Sequence, residues 1–213
     1  MIVVVTLNPA LDVTHYVDEA DWGGVNRPHQ VHVRAGGKGL NVARTLRALG
    51  QPVTLAGLCG GCTGRSVRAG LAGTGITAAL TTIAGETRRT FVVADDSRGQ
   101  TALFNEPGPQ VTPAEYADFT AAYRASAGRA AAVVLSGSLP PGVPEDAYAG
   151  LIAIADRAGV PVILDASGPA LRLGAAAGPA VVKPNLAELE AASGRELRIG
   201  GQPDLPAIER AAR

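Results

Sequence analysis

The sequence contains few of the residues that mark several classes of protein. Its 213 residues include two cysteines and one tryptophan, and the acidic and basic side chains balance at 19 each. Without an excess of positive charge, the chain has no electrostatic signature for binding nucleic acid or a membrane surface. No apolar stretch is long enough to span a bilayer, and Met1–Thr6 lacks the basic region and cleavage site of a secretory signal. These absences predict a cytoplasmic protein whose partners are small molecules.

Cysteine and histidine are too scarce to indicate a metal site. Cys59 and Cys62 lie in the segment Cys-Gly-Gly-Cys, a spacing that suits redox chemistry or half of a zinc site, but no second pair is present. We interpret them as small residues in a glycine-rich turn between a strand and a helix. His15, His29 and His32 have no carboxylate or cysteine at ligand spacing, so surface or lid positions are expected for them.

Apolar runs alternate with helical patterns along most of the chain. Short β-branched or apolar runs bounded by Gly or Pro predict buried strands at 2–6, 53–58, 76–83, 131–135, 161–165 and 179–182. Helices are predicted at 38–49, 64–73, 112–124, 144–158 and 185–192. This alternation predicts an α/β fold of right-handed βαβ units, in which helices cover both faces of a mostly parallel sheet.

Two segments, 13–34 and 87–105, do not follow this alternation. They are polar, with β-branched and aromatic residues in loose alternation, and they predict a small antiparallel sheet outside the main one. Such a sheet leaves one face that needs cover, which a substrate, a partner subunit or both would supply. We therefore divide the chain into an α/β core at 1–12, 35–86 and 106–213 and a β lid at 13–34 and 87–105.

The chain has two lysines, and the first lies in a glycine-rich segment. Lys38 occurs in Gly36-Gly37-Lys38-Gly39-Leu40-Asn41, at the start of a predicted helix, where free backbone N–H groups and the helix dipole favour an anion. The spacing is neither that of a Walker P-loop nor that of the dinucleotide fingerprint. Taken alone, such a helix start is as often a structural turn as a ligand site.

The second lysine, Lys183, precedes Pro184 and Asn185, and Glu188 follows three residues after the asparagine. Asn185 is suited to capping the predicted helix. Alternatively, the amide and the carboxylate lie on one helix face and organise a hydrated Mg²⁺ near nucleotide phosphates. The residues alone leave both interpretations open.

Polar residues follow two of the predicted strands. Asp12 comes after the first strand and its turn, and the loop at 136–142 follows the strand at 131–135. Ligands bind at the carboxyl ends of the strands in open α/β sheets. A lone aspartate in a turn is more often a cap, but two polar loops at one sheet edge favour a binding site.

Five motifs, in this order along the chain, resemble those of the ribokinase (PfkB) family of sugar kinases. They are Thr6-Leu7-Asn8-Pro9-Ala10-Leu11-Asp12, Gly36-Gly37-Lys38-Gly39-Leu40-Asn41-Val42-Ala43-Arg44, Asn105-Glu106-Pro107-Gly108, Ser136-Gly137-Ser138-Leu139-Pro140-Pro141-Gly142 and Lys183-Pro184-Asn185-Leu186-Ala187-Glu188. The first two motifs are most similar to the branch that contains 1-phosphofructokinase and tagatose-6-phosphate kinase.

The resemblance implies a ribokinase-like three-layer α/β/α sandwich with a β lid, and dimerisation through the lid, as in many of these kinases. It implies ATP- and Mg²⁺-dependent phosphorylation of fructose 1-phosphate to fructose 1,6-bisphosphate. The alternatives are a kinase for tagatose 6-phosphate or another ketohexose phosphate, and a non-catalytic sugar-phosphate-binding fragment or decayed kinase. The residues implied for the sugar phosphate are Asp12, Gly37, Lys38, Asn41, Ser138, Arg88 and Arg27. Those implied for the nucleotide and Mg²⁺ are Lys183, Asn185 and Glu188, the last acting through water.

One family motif has no match in this sequence. Family members continue through a nucleotide-binding region to a Gly-Ala-Gly-Asp segment, whose aspartate is the general base and whose amides form an anion hole. The sequence ends at Glu209-Arg210-Ala211-Ala212-Arg213, within what resembles an amphipathic helix. We therefore expect a C-terminally truncated chain that lacks the catalytic base and does not turn over by itself.

Overall fold

The computed structural model describes residues 1–199 and 201–212. The strands in this part of the chain are β1 (Ile2–Thr6), β2 (Ala10–Val17), β3 (Gln30–Gly36), β4 (Val53–Gly60), β5 (Thr77–Ile83), β6 (Arg88–Asp95), β7 (Gln100–Asn105), β8 (Ala132–Ser136), β9 (Val162–Asp165), β10 (Val181–Val182), β11 (Arg198–Ile199) and β12 (Gln202–Pro203). The helices are α1 (Lys38–Ala48), α2 (Gly61–Ala69), α3 (Pro113–Ala127), α4 (Ala147–Asp156), α5 (Gly168–Ala176), α6 (Leu186–Ser193) and α7 (Leu205–Ala211). None of these described helices has the length and hydropathy needed to cross a membrane.

The main sheet has six parallel strands in the order β10-β9-β8-β1-β4-β5. Successive side chains of a strand point to opposite faces, and both faces of β1 are buried. Val4 belongs to the apolar cluster that contains Leu40 of α1, whereas Val3 belongs to the cluster that contains Phe119 of α3 and Leu151 of α4. This arrangement confirms the predicted α/β fold, with helices on both faces of a parallel sheet.

The strand order places a topological switch point beside β1. The chain proceeds from β1 to β4 and β5 on one side, and then returns to form β8, β9 and β10 on the other side. The carboxyl ends of β1 and β8 therefore diverge into separate loops, and the gap between such loops is where open α/β sheets bind ligands. Asn8 follows β1 and Ser138 follows β8, so both lie at this edge.

The lid sheet has the strand order β3-β2-β6-β7. The β2–β3 and β6–β7 pairs are antiparallel as predicted, but β2 and β6 are parallel, so the prediction of an antiparallel lid sheet is wrong for its central pair. Both β2 and β6 leave the carboxyl edge of the main sheet, shortly after β1 and β5, and therefore run in the same direction. The lid strands begin at Ala10, which places Asp12 within β2 rather than in the turn after β1.

Two parts of the fold were not predicted, namely α5 and the short β11–β12 hairpin. Gly168, Pro169 and Gly174 favour a turn in the sequence of α5 and obscure its helical period. Gly174 allows close packing, because a Cβ there would lie 2.7 Å from the Leu164 side chain of β9. The predicted terminal helix corresponds to α7, and its last predicted residue, Arg213, lies outside the described residues.

The two cysteines lie on either side of the junction between β4 and α2. Cys59 is buried in β4, Cys62 is exposed in the first turn of α2, and both are free thiols. The helix begins at Gly61, three residues earlier than predicted. The Glu86 carboxylate explains the earlier start, because it accepts the backbone N–H groups of Cys62 and Thr63.

Candidate functional site

A cleft of about 830 Å³ lies between the lid sheet and the carboxyl edge of the main sheet. Six of the sequence-predicted substrate residues line it, namely Asp12, Gly37, Lys38, Asn41, Arg88 and Ser138. Arg27 is not among the lining residues, because it lies in the exposed connection between β2 and β3. The structure thus brings together residues from both sheets and from the start of α1.

Asp12 supplies a carboxylate among guanidinium groups in the wall of the cleft. Gly36 makes room for it, since a Cβ at Gly36 would overlap the Asp12 carboxylate. Burial raises the pKa of Asp12, while the positive charges of Arg34, Arg88 and Arg44 oppose that rise. The Arg34 Nε atom is 4.0 Å from Asp12 Oδ2. A carboxylate in such surroundings is a strong acceptor for sugar hydroxyl groups.

The amino terminus of α1 opens into the same cleft. Its N-cap residue, Gly37, has φ 97° and provides no side-chain cap, and the first turn contains no acidic residue. Gly39 allows α1 to lie close to β1, because a Cβ there would be 2.8 Å from the Thr6 side chain. The first backbone N–H groups of α1 therefore lack a side-chain acceptor, which is the arrangement that binds phosphate at helix starts.

Lys38 links this helix start to Asn185 and Glu188, at the start of α6. The Lys38 Nζ atom is 3.7 Å from Glu188 Oε1, and the Lys38 side chain is 52% exposed. Glu188 Oε2 accepts the Asn185 backbone N–H at 2.8 Å, and Asn185 Oδ1 accepts the Glu188 backbone N–H at 2.9 Å, which forms a capping box. Glu188 therefore uses one oxygen to cap α6 and presents the other to Lys38.

Lys183 pairs with a buried carboxylate at the end of β9. The Lys183 Nζ atom is 3.1 Å from Asp165 Oδ1, and the Ser136 hydroxyl donates to Asp165 Oδ2 at 3.2 Å. Among the described residues, Asp165 Oδ1 has no partner with hydrogen-bond geometry, so its contact with Lys183 is an ion pair. The Lys183 side chain remains 64% exposed beyond this contact.

The residues of the cleft region that sequence reasoning missed include Asn8, Arg34 and Arg44. Asn8 and Arg34 line the cleft, and Arg44 donates to Asn41 Oδ1 at 3.4 Å. All three stand within or next to the motifs that resemble the family, which was the available signal. Arg34 lies opposite Asp12 only because β2 and β3 pair in that register, and the sequence pattern does not determine the register.

No group of three or more His, Cys, Asp or Glu side chains that could hold a metal ion occurs in residues 1–199 and 201–212. At the start of α6, Asn185 supplies an amide and Glu188 a carboxylate, and both contain oxygen ligands of the type that Mg²⁺ prefers. Both Glu188 oxygens already have partners within the protein. These donors suit contact with a hydrated metal ion better than direct coordination.

The fold and the cleft define an α/β protein of the ribokinase-like class, in which a β lid stands over the switch point of a parallel sheet. The family model for the pfkB family of carbohydrate kinases matches residues 2–212. The chain therefore belongs to the PfkB family of carbohydrate kinases, which confirms the resemblance seen in its motifs.

Solved structures of phosphofructokinases resemble the chain over its full length. Phosphofructokinase-2 from Escherichia coli, in complex with fructose-6-phosphate, is 32% identical with a TM-score of 0.91, and the match covers 99% of this chain and 68% of that one. A Thermotoga maritima protein named as a possible 1-phosphofructokinase is 31% identical with a TM-score of 0.89, covering 100% of this chain and 68% of that one. The chain thus spans about two thirds of the length of these relatives.

Proposed function

We propose that this chain binds the sugar phosphate in a kinase reaction that converts fructose 1-phosphate to fructose 1,6-bisphosphate. The observation that carries the proposal is the convergence of Asp12, the uncapped start of α1 and Arg88 in one cleft. A carboxylate suits sugar hydroxyl groups, whereas helix N–H groups and a guanidinium suit a phosphate. The cleft thus offers both kinds of partner that a sugar phosphate requires.

In this proposal, each group in the cleft has a defined task. Asp12 accepts hydrogen bonds from sugar hydroxyl groups, and Gly37, Lys38 and Asn41 hold the phosphate at the start of α1. Arg88 holds the phosphate from the lid, and Ser138 contacts the substrate from the loop after β8. Holding the acceptor hydroxyl in line with the transferred phosphoryl group is a large part of catalysis in this class of reaction.

The proposed nucleotide side of the site consists of Lys183, Asn185 and Glu188, with ATP and Mg²⁺ as cofactors. Lys183 is exposed enough to meet an anionic phosphate, and the Asn185–Glu188 pair suits a hydrated metal ion. When bound, MgATP supplies the phosphoryl group, and the metal neutralises part of its charge. This chain's own residues orient the sugar and hold its phosphate.

Fructose 6-phosphate is a second candidate substrate, and the similarity to Escherichia coli phosphofructokinase-2, solved with fructose-6-phosphate, favours it. Phosphorylation of either fructose phosphate gives the same product, fructose 1,6-bisphosphate. The two candidates differ in which end of the sugar carries the phosphate that is held at α1. Direct comparison of their affinities for the chain separates them.

We further propose that the general base is not among these 213 residues. The family's Gly-Ala-Gly-Asp motif has no match in the sequence, and about one third of each solved relative has no counterpart here. We expect no ADP formation from ATP, Mg²⁺ and fructose 1-phosphate with the 213-residue chain, although the sugar phosphate still binds. A polypeptide that continues through a Gly-Ala-Gly-Asp segment should turn over, since a general base contributes roughly 10²- to 10⁴-fold in rate.

Comparable turnover by the two polypeptides would contradict this assignment. The base would then have to be sought first at Asp12 and Asp165. Absence of both turnover and sugar-phosphate binding in the longer polypeptide would overturn the proposed reaction itself. Sugar-phosphate binding without turnover in the longer polypeptide would support the alternative of a non-catalytic binding protein.

We also propose that two copies of the chain associate through the outer face of the lid. Val31 is 47% exposed, Val33 is 58% exposed and Phe104 is 51% exposed, and alternation along the strands places them opposite the face that carries Asp12. Val33 and Phe104 lie on the two edge strands, in one row with the half-buried Val13 and Phe91, and an apolar face of this kind marks an interaction surface. By sedimentation velocity, we expect a dimer that Val33→Asp converts to monomer.

Val25→Asp provides the matched control for this experiment. Val25 is 76% exposed, but it lies in the connection between β2 and β3 rather than on the lid strands. The control variant should therefore remain dimeric. A monomeric parent chain would contradict the proposed interface.

A further inference from the structure

Asn8 connects three segments that form the cleft. Its side-chain Nδ2 atom donates to the Pro107 carbonyl at 2.9 Å and to Ser138 Oγ at 3.2 Å, and its backbone carbonyl accepts Arg88 Nε at 3.2 Å. Asn8 is 6% exposed, and its side-chain partners lie 99 and 130 residues away in sequence. One buried residue thus joins the turn after β1, the segment after β7 and the loop after β8.

The orientation of the Asn8 amide follows from its partners. The Pro107 carbonyl can only accept a hydrogen bond, so the amide nitrogen must face it. The two amide hydrogens are then used by Pro107 and Ser138. The Oδ1 atom is buried beneath Gly108, where a Cβ would collide with it, and it has no hydrogen-bond partner among the described residues.

These contacts determine how Ser138 can act in the cleft. A serine hydroxyl has one hydrogen and two acceptor positions, and Asn8 occupies one of the acceptor positions. Within the described part of the chain, the Ser138 hydroxyl accepts from Asn8 and donates to no group, and Ser138 is exposed at the cleft wall. The Ser138 hydrogen is therefore free to be donated to an oxygen of a bound ligand.

Arg88 is fixed by the same arrangement. Its Nε donates to the Asn8 carbonyl and its Nη1 donates to the Glu106 carbonyl at 3.3 Å. A guanidinium has five N–H donors, so at least three remain for an anion in the cleft. The Asn8 backbone therefore helps to hold Arg88 in place, and the remaining guanidinium N–H groups stay available to a ligand.

We propose that Asn8 is a positioning residue of the sugar-phosphate site, which acts by fixing the Ser138 hydroxyl as a hydrogen-bond donor toward the ligand. The inference rests on the proposed function, because it assumes that the ligand of the cleft is a sugar phosphate. An asparagine whose carbonyl is buried without a partner is a poor choice for stability alone. Local conflicts of this kind are expected at functional sites.

A double-mutant cycle tests the proposal, with fructose 1-phosphate as the probe and calorimetry as the readout. We expect Asn8→Ala and Ser138→Ala each to weaken binding about tenfold, and the double variant to bind no more weakly than the weaker single variant. The melting temperature of Asn8→Ala should fall only slightly, because the removal of an unpaired buried carbonyl offsets part of the loss of the two side-chain hydrogen bonds. Additive losses, or a lower melting temperature with normal binding, would overturn the proposal.

Asn8→Asp, with Asn105→Asp as its matched control, separates hydrogen bonding from charge. Both residues line the cleft, but the Asn105 side chain accepts from Thr90 and does not contact Ser138. Asn8→Asp cannot donate to Ser138 and should draw the Ser138 hydrogen toward itself, so we expect it to lose at least fivefold more affinity than Asn105→Asp. Equal losses would mean that the negative charge added by aspartate, and not the lost hydrogen bond to Ser138, weakens binding. That result would overturn the positioning role of Asn8.

Hydrogen exchange supplies a readout that needs no ligand. Asn8→Ala should speed amide exchange in the segments 106–108 and 137–139, and leave exchange in α3 unchanged. If the parent chain binds no sugar phosphate but exchange rises as expected, the proposed function fails while the positioning contacts stand. Unchanged exchange in both segments would overturn the positioning role whatever the chain binds.

Discussion

Two helices begin at the carboxyl edge of the main sheet, and their first turns differ in what they offer a ligand. The start of α1 has a glycine N-cap, no side-chain cap and no acidic residue, whereas the start of α6 is closed by the capping box of Asn185 and Glu188. An uncapped start provides N–H groups for an anion, and a capped start that presents a carboxylate oxygen to the cleft attracts a cation, which is Lys38 in this structure. This contrast underlies the proposal that the sugar phosphate binds at α1 and the hydrated metal at α6.

Lys38 joins the two helix starts, because it extends from α1 to within 3.7 Å of Glu188. The lysine therefore faces a carboxylate when no ligand is present, and a phosphate at α1 competes with Glu188 for it. A metal ion near Glu188 would compete with Lys38 in turn. If the two ligands bind as proposed, the Lys38–Glu188 ion pair couples the two halves of the site. Each of the next two substitutions changes one side of that coupling.

The largest effect is expected from Asp12→Asn on the α1 side. Loss of a charged hydrogen-bond acceptor should weaken fructose 1-phosphate binding by about tenfold to 100-fold, equivalent to about 1.5 to 3 kcal/mol.

The same substitution should increase the stability of the folded chain. Burial raises the pKa of Asp12 above its ordinary value of 3.8, so the folded state holds that proton more tightly than the unfolded state.

It follows that ionisation of Asp12 lowers stability as the pH rises through its folded pKa. Urea unfolding at pH 4 and pH 7 should therefore show that Asp12→Asn gains stability relative to the parent chain, and gains more at pH 7. Calorimetry with fructose 1-phosphate measures the binding loss on the same samples. A variant that is less stable at pH 7 and binds normally would mean that Asp12 has a structural role.

Glu188→Gln should increase the affinity for sugar phosphate, and by less than Asp12→Asn lowers it. Glutamine retains the capping box, so the substitution removes mainly the charge that faces Lys38. Exposed ion pairs contribute about 0.2 to 1 kcal/mol, and Lys38 is half exposed, so sugar-phosphate affinity without Mg²⁺ should rise by about two- to fivefold. Calorimetry in the presence of a chelator measures this change.

Glu115→Gln is the matched control for that substitution. Glu115 occupies the same position in a capping box with Thr112 at the start of α3, away from the cleft. It should leave the affinity for sugar phosphate unchanged. Equal effects of the two substitutions, or weaker binding by Glu188→Gln, would show that the ion pair does not hold Lys38 away from the phosphate.

The two helix starts also show what the sequence could and could not predict. The predicted bounds of the main strands lie close to those in the structure, because buried parallel strands appear in a sequence as short apolar runs. The glycine-rich segment before α1 likewise indicated where that helix begins. The choice between a cap and a metal-organising pair at Asn185 stayed open, since one short motif serves both. The capping box is present in the fold, and the metal role stays a prediction.

Features that depend on contacts between residues far apart in the chain could not be predicted from the sequence. The parallel β2–β6 pair follows from where both strands leave the main sheet, and no local pattern encodes that. The same holds for Asn8, whose side-chain partners are more than 90 residues away. The helix α5 was missed for a local reason, because Gly168, Pro169 and Gly174 hide its period.

The central claim is that the cleft beside α1 recognises the phosphate of a sugar phosphate. Calorimetric titration of the parent chain with fructose 1-phosphate and with fructose tests it most directly, with Lys38→Ala as the variant that removes the charge at the helix start. We expect the parent to bind the phosphorylated sugar at least tenfold more tightly, and Lys38→Ala to lose most of that preference. Equal binding of the two sugars by the parent chain would contradict the account.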